Sequence, residues 1–160
     1  MLAPYDRSVA ICNHPFVPHR PYDAQNCSIA RSLEVVGERW SLLVMRDVLL
    51  GSRHFADIKR SLGVAPNILS DRLATLVEHG LLERRGQEYV PTRKGIDLNP
   101  VMVALMTWGD TYAAPAGPPR VVVHKACGHD AHPELTCTHC GEAMAPRDTF
   151  VRPGPGARAA

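Results

Sequence analysis

Two short stretches of the 160-residue chain share one five-residue shape: His124-Lys-Ala-Cys127-Gly128 and Cys137-Thr-His-Cys140-Gly141. In each, two ligand-type residues stand three positions apart, so that both side chains can meet one metal ion. A glycine follows, which lets the backbone turn back on itself. Two such knuckles supply four tetrahedral donors, and the spacing predicts a structural zinc held by His124, Cys127, Cys137 and Cys140. His129 or His139 can replace His124 as the fourth ligand; His124 is preferred because it completes the symmetric spacing. A segment of about 30 residues has too little apolar surface to fold alone, and zinc would supply roughly 10–16 kcal/mol of apparent binding energy. Nothing in the spacing suggests an open coordination position beside a general base, so the metal is read as structural. The total of five cysteines is odd, and three crowd between 127 and 140, which suits metal binding better than a disulfide framework.

A fourth cysteine has a different setting. Cys27 stands where helical periodicity begins, four residues before Arg31. A helix N-terminus and a nearby cation both favour thiolate over thiol, which makes Cys27 a candidate redox sensor, with Cys12 as a weaker candidate resolving partner. The alternative is a small apolar residue packed near a dimer axis.

A third group of residues has the chemistry to read a duplex. A helix enters the major groove only if its outer face carries short polar groups and its inner face is packed. Over residues 66–79, Leu69, Leu73, Leu76 and Val77 form an inner stripe. Pro66 starts the helix, and Asn67, Ser70, Asp71 and Ala74 point outward with Arg72 on the flank. Asn67 and Ser70 have the reach for base edges, and Arg72 for a base or a phosphate. Arg84 and Arg85, with Gln87 at a hairpin tip, can grip neighbouring phosphates or the minor groove, while Arg53, Lys59 and Arg60 lie nearby as candidate backbone contacts. Taken singly, each of these fits an ordinary solvated surface equally well. The net charge of +2 decides nothing, although basic residues gather between Arg53 and Lys94.

These residues need elements to hold them. Ile29, Leu33 and Val36 recur at helical spacing up to Gly37; Trp40, Leu43, Val44 and Val48 form a second stripe closed by Gly51. Ser52 can cap a third helix that buries Phe55, Ile58 and Leu62. Gly63 then supplies a tight turn, and Pro66 suits the first turn of a fourth helix ending at Gly80. Helix, short glycine turn, helix is the helix-turn-helix arrangement. LLERR and EYVPT, separated by Gly86-Gln87, predict a small hairpin. Thr92 can cap a fifth helix in which Leu98, Val101, Met102, Leu105 and Met106 give an apolar face broader than one small domain needs.

The predicted fold class is therefore mainly α with a small β hairpin, a winged helix-turn-helix followed by a small zinc-ribbon-like β unit. Its expected divisions are an arm over 1–26, a DNA-binding and dimerisation domain over 27–112 and a Pro/Gly linker over 113–120. A zinc-ribbon-like domain over 121–151 and a disordered tail over 152–160 complete the chain.

The succession from Cys27 to Arg85 resembles the HxlR family of bacterial transcriptional regulators. The resemblance rests on Gly37-x-x-Trp40, Arg46 with Leu49 and Gly51, Arg53-x-Phe55, Leu69-x-x-Arg72-Leu73-x-x-Leu76 and His79-Gly80-Leu81. It continues through Tyr89 to Gly95, Pro100-x-Met102, Leu105 and Trp108. It covers roughly residues 27–112. It implies a homodimeric repressor or activator whose first and last helices build the dimer interface on a two-fold symmetric operator in double-stranded DNA. It also implies that a cysteine placed like Cys27 serves as an electrophile or oxidant sensor in some members, with a small electrophile or an aromatic molecule as the expected effector. Two departures stand out. Ala65 occupies the place of a hydroxyl cap, a loss of about 1 kcal/mol that Pro66 offsets in part, and the wing is short.

A winged-helix and zinc-ribbon module that contacts the transcription machinery is the competing reading. An enzyme is not expected: His54 and His79 suit a helix surface, and no catalytic triad or phosphate loop is present. With no apolar run of about 18 residues and no signal-peptide core, the expected location is the cytoplasm and no membrane partner is foreseen.

Overall fold

The computed structural model describes Tyr22 and residues 25–157. The expected arm up to residue 21, with Cys12, and the last three positions lie outside the described residues. Among the described residues, six helices and one hairpin follow in the order α1 (Ser28–Val36), α2 (Ser41–Leu49), α3 (Phe55–Leu62), α4 (Pro66–Glu78), β1 (Leu82–Arg85), β2 (Glu88–Pro91), α5 (Arg93–Ile96) and α6 (Asn99–Tyr112).

The core sits where α2, α3, α4 and the base of the hairpin meet. Val44, Met45 and Val48 come from α2, Ile58 from α3, Leu69, Leu73 and Leu76 from α4, and Leu81 and Leu82 from the start of the hairpin. All are essentially removed from water, and each such side chain contributes roughly 1.5–3 kcal/mol. Of the stripe expected on α2, Val44 and Val48 are fully buried as the spacing predicts, and the buried face extends to a residue outside it. Met45 is fully buried, whereas Trp40 packs on the core only partly buried and Leu43 turns toward α6. The α2 face is wide enough for two neighbours, and periodicity alone does not say which apolar residue goes to which.

Gly63 adopts φ 62° and donates its N–H to the Lys59 carbonyl at 2.9 Å, which ends α3 and aims the chain into α4. Ser52 does not cap α3. Its N–H donates to the Asp47 carbonyl at 2.9 Å, extending the exit from α2, and His54 takes the N-cap position without a side-chain bond. The expected fifth helix divides in two. Thr92 caps α5 by accepting from the Gly95 N–H at 3.2 Å, and the chain re-enters a helix at Asn99, where Pro100 needs no amide partner.

The hairpin pairs Leu82 with Pro91 through to Arg85 with Glu88, leaving Gly86 and Gln87 as a two-residue turn. A segment that the periodicity does not reveal lies along its outer edge. The Tyr89 N–H donates to the Arg53 carbonyl at 2.8 Å, and His54 bridges Glu88. The stretch before α3 therefore acts as a third, very short strand.

Beyond α6 the linker closes a turn, from the Gly117 N–H to the Ala114 carbonyl. The last part of the chain is two copies of one loop rather than a continuous β unit, the second displaced by 13 residues (124 to 137, 127 to 140, 128 to 141). In the first, the His124 N–H donates to the His129 carbonyl and a single bridge joins Val123 to Asp130. In the second, the Cys137 N–H donates to the Glu142 carbonyl and Thr136 bridges Ala143. Gly128 and Gly141 occupy matching left-handed positions at φ 72° and 78°. Near the end of the described residues the chain turns at positions 155 and 156, and the Gly156 carbonyl accepts from Asn26 Nδ2 at 2.8 Å. Prolines on both sides of Gly154 stiffen this stretch.

Candidate nucleic-acid interface

The inner stripe of α4 is locked into the core, so its other side must face outward. Pro66, Asn67, Ser70, Asp71 and Ala74 are all exposed there. Ala65 is extended, with φ −61° and ψ 141°, and offers no side-chain cap. The first amides of α4 are thus left without a side-chain acceptor, a common place for a phosphate oxygen. Arg72 is held back from this face. It is only 22% exposed, and its Nη1 lies 3.3 Å from Glu38 Oε2 in the turn between α1 and α2. Sequence spacing on α4 gives no sign of Glu38, because the partner is 34 residues away in sequence.

The surrounding cations divide into two groups. Lys59 is exposed at the end of α3, and Arg60 pairs with Asp57 at 3.2 Å on the same helix. On the hairpin, Arg84, Arg85 and Gln87 are exposed; Arg84 Nε donates to the Gly86 carbonyl at 3.0 Å and Arg85 pairs with Glu83. Such exposed pairs are worth little and can be exchanged for a phosphate. Arg53 has a structural part to play, since its guanidinium donates to the Val48 carbonyl and ties the exit of α2 to the hairpin edge. Lys94 Nζ likewise donates to the His79 carbonyl at 2.7 Å, closing the end of α4. The structure thus brings Asn67, Ser70 and Asp71 together on one helical face, and leaves Arg72 and Arg53 engaged within the chain.

Cys27 takes the N-cap position of α1 and is half-buried, with no side-chain cap bond. The cation expected beside it is occupied elsewhere, since Arg31 Nη2 donates to Asn26 Oδ1 at 3.0 Å.

Each knuckle assembles its own pair of donors. His124 Nδ1 lies 3.3 Å from Cys127 Sγ. The Cys140 amide, the His139 amide and the Cys140 thiol, in that order, hold the Cys137 thiol below its ordinary value. Among the described residues no three His, Cys, Asp or Glu side chains converge as a metal cage. His129 Nδ1 lies 2.8 Å from the Cys127 carbonyl, a contact that leaves its Nε2 as the nitrogen able to reach a metal.

Residues 35–116 match the HxlR-like helix-turn-helix family. The chain belongs to the HxlR family. An uncharacterised HTH-type transcriptional regulator of Mycobacterium tuberculosis is 45% identical over 140 residues, covering 82% of this chain and 89% of the relative. The crystal structure of the transcription factor PA1607 superimposes with TM-score 0.72 at 35% identity, over 82% of this chain and 98% of that one. A second transcription factor, from Pseudomonas aeruginosa, is 42% identical with TM-score 0.59, over 82% of this chain and 95% of that one. The HxlR-family chain is therefore a helix-turn-helix transcriptional regulator whose partner is DNA, and this reading prevails over a protein-interaction module. No helix among the described residues is long and apolar enough to cross a membrane.

Proposed function

We propose that this HxlR-family regulator works as a homodimer that offers two copies of α4 to a two-fold symmetric operator. The observation that carries the reading is on α6. Val101, Leu105, Trp108 and Tyr112 recur every three or four residues and are 58, 51, 59 and 74% exposed, with the Trp108 and Tyr112 rings 5.5 Å apart. Ile29 and Leu33 form a similar exposed pair on α1. Apolar stripes of this length are seldom left in water, and a second copy covers both by a self-complementary contact. Asn67, Ser70 and Asp71 would then meet base edges. Pro66, Lys59, Arg84, Arg85 and Gln87 would follow the phosphate backbone, joined by Arg72 and Arg53 if DNA displaces their present partners.

The C-terminal loops fit one structural zinc. They place one His and three Cys at equivalent positions of equivalent turns, a thiolate-rich donor set of the kind zinc takes. His124, Cys127, Cys137 and Cys140 would hold the ion, which would draw the two loops into one ribbon-like unit. Cys27 is the candidate site for a small electrophile; a YodB structure from B. subtilis, 25% identical with TM-score 0.50, over 54% of this chain and 98% of that one, is quinone-bound. The deciding experiment is in vitro selection of bound DNA at stated salt, with sedimentation analysis of the free protein. A palindromic site bound by two chains is expected. A monomer that ignores every duplex in dilute buffer overturns the proposal.

A further inference from the structure

A cleft of ≈ 590 Å³ lies between α2, α6 and the stretch that follows the linker. Its volume falls in the range of small-molecule sites, which run to about 300–1,000 Å³. Leu42, Leu43 and Leu49 form one wall, Met102 and Met106 a second, and Val122 contributes to the third. The charged groups that line it are all cationic: Arg46 and Arg120, with no carboxylate among the lining residues. Arg46 spends Nε and Nη2 on Asp47 Oδ1, at 2.9 and 2.7 Å, which leaves its Nη1 amine uncommitted. Arg120 makes no ion pair or hydrogen bond among the described residues. An apolar hollow edged by one unpaired guanidinium, Arg120, and by the Nη1 that Arg46 keeps outside its pair with Asp47, selects an anion that carries an apolar body.

The third wall lies beyond the family match, which ends at residue 116. It is fastened to the first knuckle, because the Ala131 N–H donates to the Val122 carbonyl at 2.7 Å. The C-terminal loops therefore shape the cleft as well as any metal site.

We infer that this cleft binds a small amphipathic carboxylate, its apolar body between α2 and α6 and its carboxylate on Arg120 and Arg46. The site is separate from Cys27 and requires no covalent step. Ligand binding is read directly, so failure here leaves the dimer and operator reading untouched.

The test is isothermal titration of the full-length protein with 2-naphthoate and with neutral 2-naphthamide. One naphthoate per chain is expected, with the amide weaker by about tenfold, as befits the loss of a charge-assisted hydrogen bond. Arg120→Gln should erase the advantage of the acid while leaving amide affinity unchanged. Val121→Trp, at an exposed lining position, should abolish binding of both. Equal affinity for acid and amide overturns the inference, as does undiminished binding in both folded variants. Absence of heat from either probe also overturns it, and is the result expected if a second copy of the chain covers the cleft.

Discussion

Replacing Gly95 by alanine tests how closely α5 lies against the root of the hairpin. Gly95 is buried, and a methyl group there would overlap the Leu81 carbonyl oxygen and stand 3.1 Å from both the Leu81 carbonyl carbon and Met45 Cε. The flexible methionine can give way. The carbonyl cannot, because it already accepts from the Thr92 N–H at 3.0 Å and from Thr92 Oγ1 at 3.2 Å. Overpacking of this kind costs about 1–3 kcal/mol, and a fixed backbone obstacle places it at the upper end. Against this, alanine gains about 1 kcal/mol over glycine from helix propensity. The net expectation is a loss of about 2 kcal/mol, or a fall of roughly 4–8 °C in the thermal midpoint for a chain of this size. Thermal unfolding by circular dichroism reads it directly, with urea titration to check that the m-value is unchanged. A midpoint equal to or above that of the parent would mean propensity prevails, and the close approach of α5 to Leu81 would be refuted.

Full-length protein should carry one zinc per chain, and Cys140→Ser should lose it while the helical signal of the winged domain persists; metal-free parent protein at neutral pH would remove the zinc proposal. Trp108→Glu sets a charge within the α6 stripe and should convert dimer to monomer in sedimentation velocity, with no change expected if α6 faces water. Glu38→Gln should cost less than about 1 kcal/mol of stability, since the carboxylate is well exposed. By freeing Arg72 it should tighten operator binding and steepen the slope of log affinity against log salt by about one unit; an unchanged slope would show that Arg72 stays off the phosphates. Cys27→Ser should bind the operator like the parent but lose any response to diamide, and identical behaviour of both proteins with oxidant would leave Cys27 as packing alone.

Where the local chemistry is unambiguous, it can be read from the chain. Gly63 and Pro66 punctuate the turn into α4, Gly86-Gln87 turns the hairpin, and the leucines at 69, 73 and 76 face inward, all because a residue's own backbone preference or its helical period decides the matter. Ser52 misleads as a cap because a hydroxyl before an apolar run is only a local signal, and the chain needs residues 53 and 54 extended against β2 instead. Thr92 is the cap that its position suggests, but the helix it starts is short, since the break before Asn99 depends on how α5 is pinned under Leu81.

For the candidate interface, sequence alone determined which face of α4 is polar, which residue types stand there, and that two loops of ligand spacing follow the winged domain. These are properties of neighbours a few positions apart, where backbone geometry leaves little choice. Only the tertiary structure decided that Arg72 is bound to Glu38, that Arg53 is tied to the end of α2, and that Arg120 lines a cleft between helices. A long cationic side chain can reach many partners, and which one it meets depends on elements that folding brings together from distant parts of the chain.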